Sequence, residues 1–260
     1  MLNHSFIVVI PARFGATRLP GKPLIYISGR PMIQHVWERA CRSHAQHIII
    51  ATDDMRIATA CRAFGAEVAM TSKHHRSGTD RIAEVSDQYG WADDTLIVNL
   101  QGDEPCIAPS LLDQVAAILA EHSEVNMATL CYPLANTQQL FDRNVVKVVI
   151  NAHGQALYFS RAPIPWQRDA FHSFDQSSLP SQLPINTEFL RHIGLYAYRA
   201  GFLRRYVKWP PVALEQAEAL EQLRVLYYGE RIQVAMAIEQ PGRGVDTPQD
   251  LIAVQQLLGD

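Results

Sequence analysis

No stretch of the chain is long and uniformly apolar enough to cross a bilayer, which excludes a helical membrane span. The opening MLNHSFIVVIPARFG has no basic segment ahead of its short apolar run, so it reads as a buried strand and not as a secretory leader. Cysteine is sparse. Cys41, Cys61, Cys106 and Cys131 stand far apart with no C-x-x-C pair, which excludes a disulfide framework and fits reduced thiols in a cytoplasmic protein. A basic excess is also missing: the formal net charge of -3 argues against nucleic acid as a partner, since phosphate backbones select a positive footprint. Internal repeats and low-complexity tracts are absent. The 260 residues, 48% of them hydrophobic, are enough to bury a core that needs neither staples nor partners.

Short β-branched runs alternate with helical periodicity through the first half. Residues 6–10, 47–51, 67–70 and 95–100 read as strands, and residues 32–43, 54–64, 79–89 and 110–121 carry apolar side chains at helical spacing. This alternation predicts an α/β fold: a Rossmann-like, mostly parallel sheet with helices on both faces and ligands at the carboxyl ends of the strands. In the second half, residues 145–150, 156–159, 193–198 and 232–238 read as strands and 213–228 as one helix. A loop rich in Pro, Ser, Gln and Asp spans 163–186. A last helix is expected after Asp246, with Thr247 as N-cap and Pro248 at the first helical position. Composition shifts too little to divide the chain, so residues 1–260 are taken as a single domain. Residues 1–130 form its nucleotide part, 131–245 a smaller sugar-binding and dimerisation subregion, and 246–260 the C-terminal helix.

One local asymmetry needs a reason. The first 37 residues hold no Asp or Glu, yet they hold Arg13, Arg18, Lys22 and Arg30. Three of these cations lie in PARFGATRLPGKPL, directly after the first expected strand, in a loop braced by Gly15, Pro20, Gly21 and Pro23. Such a loop can turn N–H donors and cationic side chains towards a polyphosphate. It is neither a Walker A loop, because Pro23 follows Lys22, nor a G-x-G-x-x-G turn.

The stretch Pro11 to Leu24 resembles the signature loop of the sugar-activating cytidylyltransferases, and in particular of the branch acting on the acidic eight-carbon sugar 3-deoxy-manno-octulosonate (Kdo). The resemblance continues in order through SGTDR (77–81), NLQGDEP (99–105), VVKVV (145–149), YFSRAPIPW (158–166), RHIGLYAYR (191–199), LEQLR (220–224) and GVDTPQDL (244–251), covering nearly the whole chain. Ala16 departs from it, standing where a Ser is expected before Thr17, and residues 169–185 match no motif.

The resemblance implies a nucleotide-diphospho-sugar transferase-like fold and transfer of CMP from CTP to the anomeric hydroxyl of Kdo, with release of pyrophosphate, in lipopolysaccharide biosynthesis. It also implies a homodimer. Nucleotidyl transfer calls for a divalent cation, here Mg²⁺, held by hard oxygen ligands. Asp103 and Asp246 each sit at the end of an expected strand. By position alone either is equally a turn residue or a helix-dipole partner; the resemblance makes both metal ligands. Arg13 and Lys22 would then be catalytic with them, offsetting charge on the phosphates, and Arg18 would assist. Backbone at Pro11 and Ala12, with Arg76, Ser77 and Gln101, would read the cytosine. Arg161, His192, Tyr196, Glu221, Gln222 and Asp246 would hold the sugar. Each sugar residue also has a structural reading: Arg161 pinning the turn that follows it, Tyr196 in the core, His192 structural, and Glu221 paired with Arg224 at i+3. A sialic-acid cytidylyltransferase and a non-catalytic nucleotide-binding regulator remain as alternatives.

Overall fold

The structure is a computed structural model that describes residues 4–15, 19–171 and 179–259. The first strand, β1 (Phe6–Ala12), sits at the centre of the strands of the first half. Its side chains alternate: Phe6, Val8, Ile10 and Ala12 enter one apolar cluster, and Ile7 and Val9 enter another on the opposite face. A strand buried on both sides needs cover on both sides, and helices supply it.

After β1 come a 3-10 turn (Lys22–Leu24) and a small hairpin, β2 (Tyr26–Ile27) and β3 (Arg30–Pro31). The first half continues with α1 (Met32–Ala40), β4 (His47–Thr52), α2 (Met55–Ala63), β5 (Glu67–Met70), α3 (Gly78–Gln88), β6 (Leu96–Asn99) and α4 (Pro109–Glu121). Then follow β7 (Met127–Pro133), α5 (Thr137–Phe141), β8 (Lys147–Ile150), β9 (Ala156–Ser160), β10 (Leu190–Arg199) and α6 (Ala200–Tyr206). The chain closes with α7 (Ala213–Glu218), α8 (Gln222–Tyr227), β11 (Ile232–Met236) and α9 (Pro248–Leu258). Residues from α1, α2 and α4 fill the first cluster; residues from α3 and α6 fill the second.

The main sheet runs β11-β7-β10-β6-β1-β4-β5, with β8 pairing β10 and β9 beside β8. β1 lies parallel to both β4 and β6, and β4 to β5, as the alternation predicts. The sheet is mixed beyond β6: β10 runs antiparallel between β6 and β7. Chain order reverses at β1, which feeds β4 on one side and borders β6 on the other; this is the switch point where α/β sheets open a ligand crevice.

Some elements differ from the sequence reading. β7 was not expected, because MATLCYP has few β-branched residues; pairing on both edges, to β10 and β11, makes it a strand. The expected helix over 213–228 is broken at Ala219, whose φ of 51° lies in the left-handed region, giving α7 and α8. Arg224 bridges the two pieces through Glu215 at 2.7 Å, in place of the expected pairing with Glu221. The last helix begins as expected, with Thr247 as N-cap and Pro248 first in the helix.

Candidate active site

Two crossings place the loop after β1. Gly102 follows β6, and a Cβ there would stand 2.9 Å from the Pro11 carbonyl oxygen, so only glycine lets the NLQGDEP turn lie against the end of β1. Gly21 adopts φ 69° and starts the short turn that carries Lys22 inward. The Lys22 Nζ then donates to Asp103 Oδ2 at 2.7 Å and to Asp246 Oδ1 at 3.2 Å. Asp246 reaches this point because Val245 N bonds to Asp103 O at 2.9 Å, and the Thr247–Asp250 capping box fixes the start of α9. Two carboxylates far apart in the sequence thus converge on one cationic centre.

Around them opens a cleft of about 360 Å³ at the switch point. Its walls include the expected Pro11, Ala12, Arg13, Lys22, Arg76, Ser77, Gln101, Asp103 and Asp246. Arg13 and Arg76 are exposed and flank the opening. Ser77 caps α3 by accepting from Asp80 N at 3.1 Å, and Asp80 Oδ2 accepts from Ser77 N at 3.1 Å. That capping box sets the Arg76–Ser77 backbone against Pro11. Arg18 lies outside the described residues, as does Ala16.

The expected sugar residues, Asp246 apart, sit beyond this cleft. Tyr196 is buried on β10 opposite Asn99 of β6, beyond a register shift that follows Ile193. His192 Nε2 lies 3.0 Å from Thr129 Oγ1 and its ring packs against Phe159 and Tyr196. Burial, reinforced by the Arg191 charge, lowers His192 to about 3, so it is neutral across the physiological range. Arg161 departs from its structural reading: its guanidinium donates to the carbonyls of Glu218 at 2.6 Å, Arg143 at 3.0 Å and Ala219 at 3.4 Å, all outside the turn that follows it. Glu221 and Gln222 begin α8, where burial holds the Glu221 carboxyl above the ordinary carboxylate range.

Sequence reasoning gives Arg81 no site role and weighs Glu104 only as a weaker metal candidate than Asp103. Arg81 lines the cleft, nearly buried, with its Nη2 3.4 Å from Asp53 Oδ1. Glu104 lies behind Asp103, against Gly244; burial first, then the Asp103 and Asp246 charges, push it up to about 8. Thr79, Asn99, Glu221 and Gln222 hold buried polar atoms: the Glu221 carboxyl meets Thr79 and Ser77, the Tyr198 hydroxyl meets Thr79 and Asn99, and Gln222 Nε2 has no hydrogen-bond partner among the described residues. Thr79 and Asn99 lie within SGTDR and NLQGDEP; only the fold brings them to Glu221 and Tyr198.

The arrangement offers cations and backbone donors to a polyphosphate, two carboxylates to a hard cation, and buried polar side chains to a hydroxyl-rich ligand. The model of the cytidylyltransferase family matches residues 7–232. The 3-deoxy-manno-octulosonate cytidylyltransferase of Pseudomonas fluorescens strain Pf-5 is 56% identical over 257 residues, 99% of each chain. That of Pasteurella multocida strain Pm70 is 53% identical over 255 residues, 98% of each. A solved structure of CMP:2-keto-3-deoxy-manno-octonic acid synthetase complexed with CTP superposes with a TM-score of 0.87 at 41% identity, covering 98% of both chains. A 4-diphosphocytidyl-2C-methyl-D-erythritol synthase, 14% identical with a TM-score of 0.62, shares the fold. With the family's matched residues running from β1 to β11 and its loop, carboxylates and strand ends gathered in one crevice, the chain belongs to the cytidylyltransferase family of nucleotidyltransferases.

Proposed function

We propose that the chain transfers CMP from CTP to the anomeric hydroxyl of Kdo. The hydroxyl oxygen bonds to the α-phosphorus, the bridging bond to the β-phosphate breaks, the hydroxyl proton is lost, and CMP-Kdo and pyrophosphate leave. The observation that carries this reading is Lys22 drawing Asp103 and Asp246 to one point beside the loop after β1. In this reading Arg13 meets phosphate oxygens, and the Pro11–Ala12 backbone, Arg76, Ser77 and Gln101 meet the base; all of them line the cleft. Arg18, in the same loop, is assigned to the phosphates by the sequence resemblance alone.

Mg²⁺ fits this donor set in kind. Asp103 and Asp246 supply two hard oxygens on a common centre, and Mg²⁺ characteristically takes one or two carboxylates while phosphates and water complete its shell. Bound there, it would offset charge on the reacting phosphates. Preorganised cations of this kind commonly lower such barriers by several kcal/mol.

For the sugar, the buried polar side chains of Thr79, Asn99, Glu221 and Gln222 offer a hydroxyl-rich ligand donors and acceptors, with Gln222 Nε2 unused by the fold. Neutral His192 and the buried Tyr196 stand close by on β10, and Asp246 reaches from the metal side. Arg161 is committed to carbonyls, so it would shape the wall through α7 or exchange a carbonyl for the sugar carboxylate. By its substrates the reaction belongs to lipopolysaccharide biosynthesis in the cytoplasm. Exposed Leu157, Trp166 and Ile185 in the second half support a homodimer, which light scattering of the purified protein would register as twice the 29.2 kDa chain mass.

Pyrophosphate release with CTP and Mg²⁺ tests the assignment, run with Kdo, with sialic acid and with no sugar. Release with Kdo alone is expected. Equal release with sialic acid would move the specificity to that sugar, and no release with either would leave a nucleotide-binding regulator.

A further inference from the structure

The loop that carries Arg13 and Lys22 has to hold its shape against the repulsion of the very cations it collects. Its two ends meet through a hydrogen bond from Gly21 N to Phe14 O at 3.0 Å. The Phe14 ring covers Gly21 so closely that a Cβ there would lie 3.1 Å from ring carbons Cε2 and Cζ. The next residue is Lys22, whose ammonium joins Asp103 and Asp246.

The Phe14 ring is itself held. The Arg56 guanidinium lies over it, 3.4 Å from the ring centroid. Arg56 is fixed in turn by Asp54, which accepts from Arg56 Nε at 2.9 Å and Nη2 at 2.6 Å, a bidentate pair. Asp54 is also the N-cap of α2, accepting from Arg56 N at 2.9 Å, so the pair is anchored in a helix terminus that does not move with the loop. The Arg56 hydrogen bond holds the Asp54 carboxyl below its usual range, in keeping with a fixed ion pair.

We infer that Arg56 is a positioning residue for the nucleotide: through the Phe14 ring it fixes the loop ends at Gly21, and so the placement of Lys22, without touching CTP itself. The inference rests on the reading of the cleft as the triphosphate site. Arg56 does not line that cleft. A simple surface ion pair between Asp54 and Arg56 would contribute little and leave nucleotide binding alone; a stack that ends one residue from Lys22 does not. Cation–π contact over an aromatic face supplies the link between an exposed charge and the loop ends.

Titration calorimetry with CTP and Mg²⁺, joined to steady-state kinetics and thermal melts, tests this on Arg56→Ala, Arg56→Lys, Phe14→Leu and the Arg56→Ala/Phe14→Leu double variant. Small misplacements of binding groups carry large penalties, so Arg56→Ala should weaken CTP binding about tenfold. The KM for sugar and the melting temperature should stay near wild type. Arg56→Lys should recover part of the loss. Phe14→Leu keeps the bulk but removes the π face, so it should match Arg56→Ala, and the double variant should be no worse than either single one. Wild-type CTP affinity in Arg56→Ala, or additive losses in the double variant, would overturn the inference. Lys22→Ala serves as the reference. If it binds CTP weakly while Arg56→Ala binds normally, the inference alone fails; if Lys22→Ala binds CTP like wild type, the reading of the cleft fails and the inference falls with it.

Discussion

A lysine can meet carboxylates or carbonyls, and the chain uses one of each kind. Lys22 sits between Asp103 and Asp246, where its charge is answered by charge. Because both carboxylates aim at one centre, Asp103→Asn or Asp246→Asn should lower kcat at least about a hundredfold, with circular dichroism unchanged; loss of a preorganised charge in an active site has that scale. Near-normal turnover in either variant would remove that residue from the metal-binding role. Lys147 is the contrasting case. It is fully buried, and its three N–H donors meet the carbonyls of Asp142 at 2.9 Å, Val145 at 2.6 Å and Arg161 at 2.6 Å. Burial lowers it from 10.5 to about 8. Below pH 8 the ammonium is charged in folded and unfolded chains alike, and its burial cost is fully present. Between pH 8 and 10.5 the unfolded chain binds more protons than the folded one, so this residue makes unfolding free energy rise with pH. Lys147→Met should cost about 2 kcal/mol at pH 7, by leaving carbonyls without a donor. Urea titrations at pH 7, 8, 9 and 10 should show wild type gaining on the variant as pH rises; a gap that narrows would contradict this.

At the level of elements, legibility followed the source of each element's stability. β1, β4 and β6 could be read because FIVVI, HIIIA and LIVN carry β-branched residues that favour a pleated surface wherever they are placed. β7 has Met, Ala and Cys in place of these and is a strand only because β10 and β11 flank it. α6 follows β10 without a loop, so no break in the sequence announced it. The site divides the same way. The cation-rich loop was visible as a charge asymmetry, whereas the meeting of Asp103 with Asp246 follows no spacing rule and came from resemblance. The meeting of Thr79 and Asn99 at Tyr198 exists only in the fold. The element that sets Asp246 is α9. Thr247 Oγ1 accepts from Asp250 N at 3.2 Å, and Asp250 Oδ2 accepts from Thr247 N at 3.0 Å and from Asp246 N at 3.3 Å. Thr247→Val keeps the branched shape but removes the cap, so it should cost about 1 kcal/mol of stability. It should also lower kcat more than that stability loss explains, because the backbone of Asp246 loses its anchor. A stability loss with unchanged kcat would mean that Asp246 is held from elsewhere.

The whole molecule joins its first and second halves within one sheet. β10, from the second half, lies between β6 of the first half and β7, and Tyr196 stands in register with Asn99. The C-terminal helix returns to the first residues: Val245 and Val254 form a cluster with Ile27 and Met32, all buried. Separating the halves at residue 130 would leave β6 with an open edge, strip the cover from Ile27 and Met32, and divide both main clusters. Edges and faces of that kind are not tolerated by an isolated fragment. The intact chain should therefore melt in one transition with calorimetric and van't Hoff enthalpies in a ratio of about 1, as expected for a two-state unit. Residues 1–130 expressed alone should show no cooperative melt. Two resolved transitions in the whole chain, or a fragment that unfolds sharply by itself, would mean that the first half is an autonomous unit and that the strand shared between the halves is a docking contact added to a core already complete.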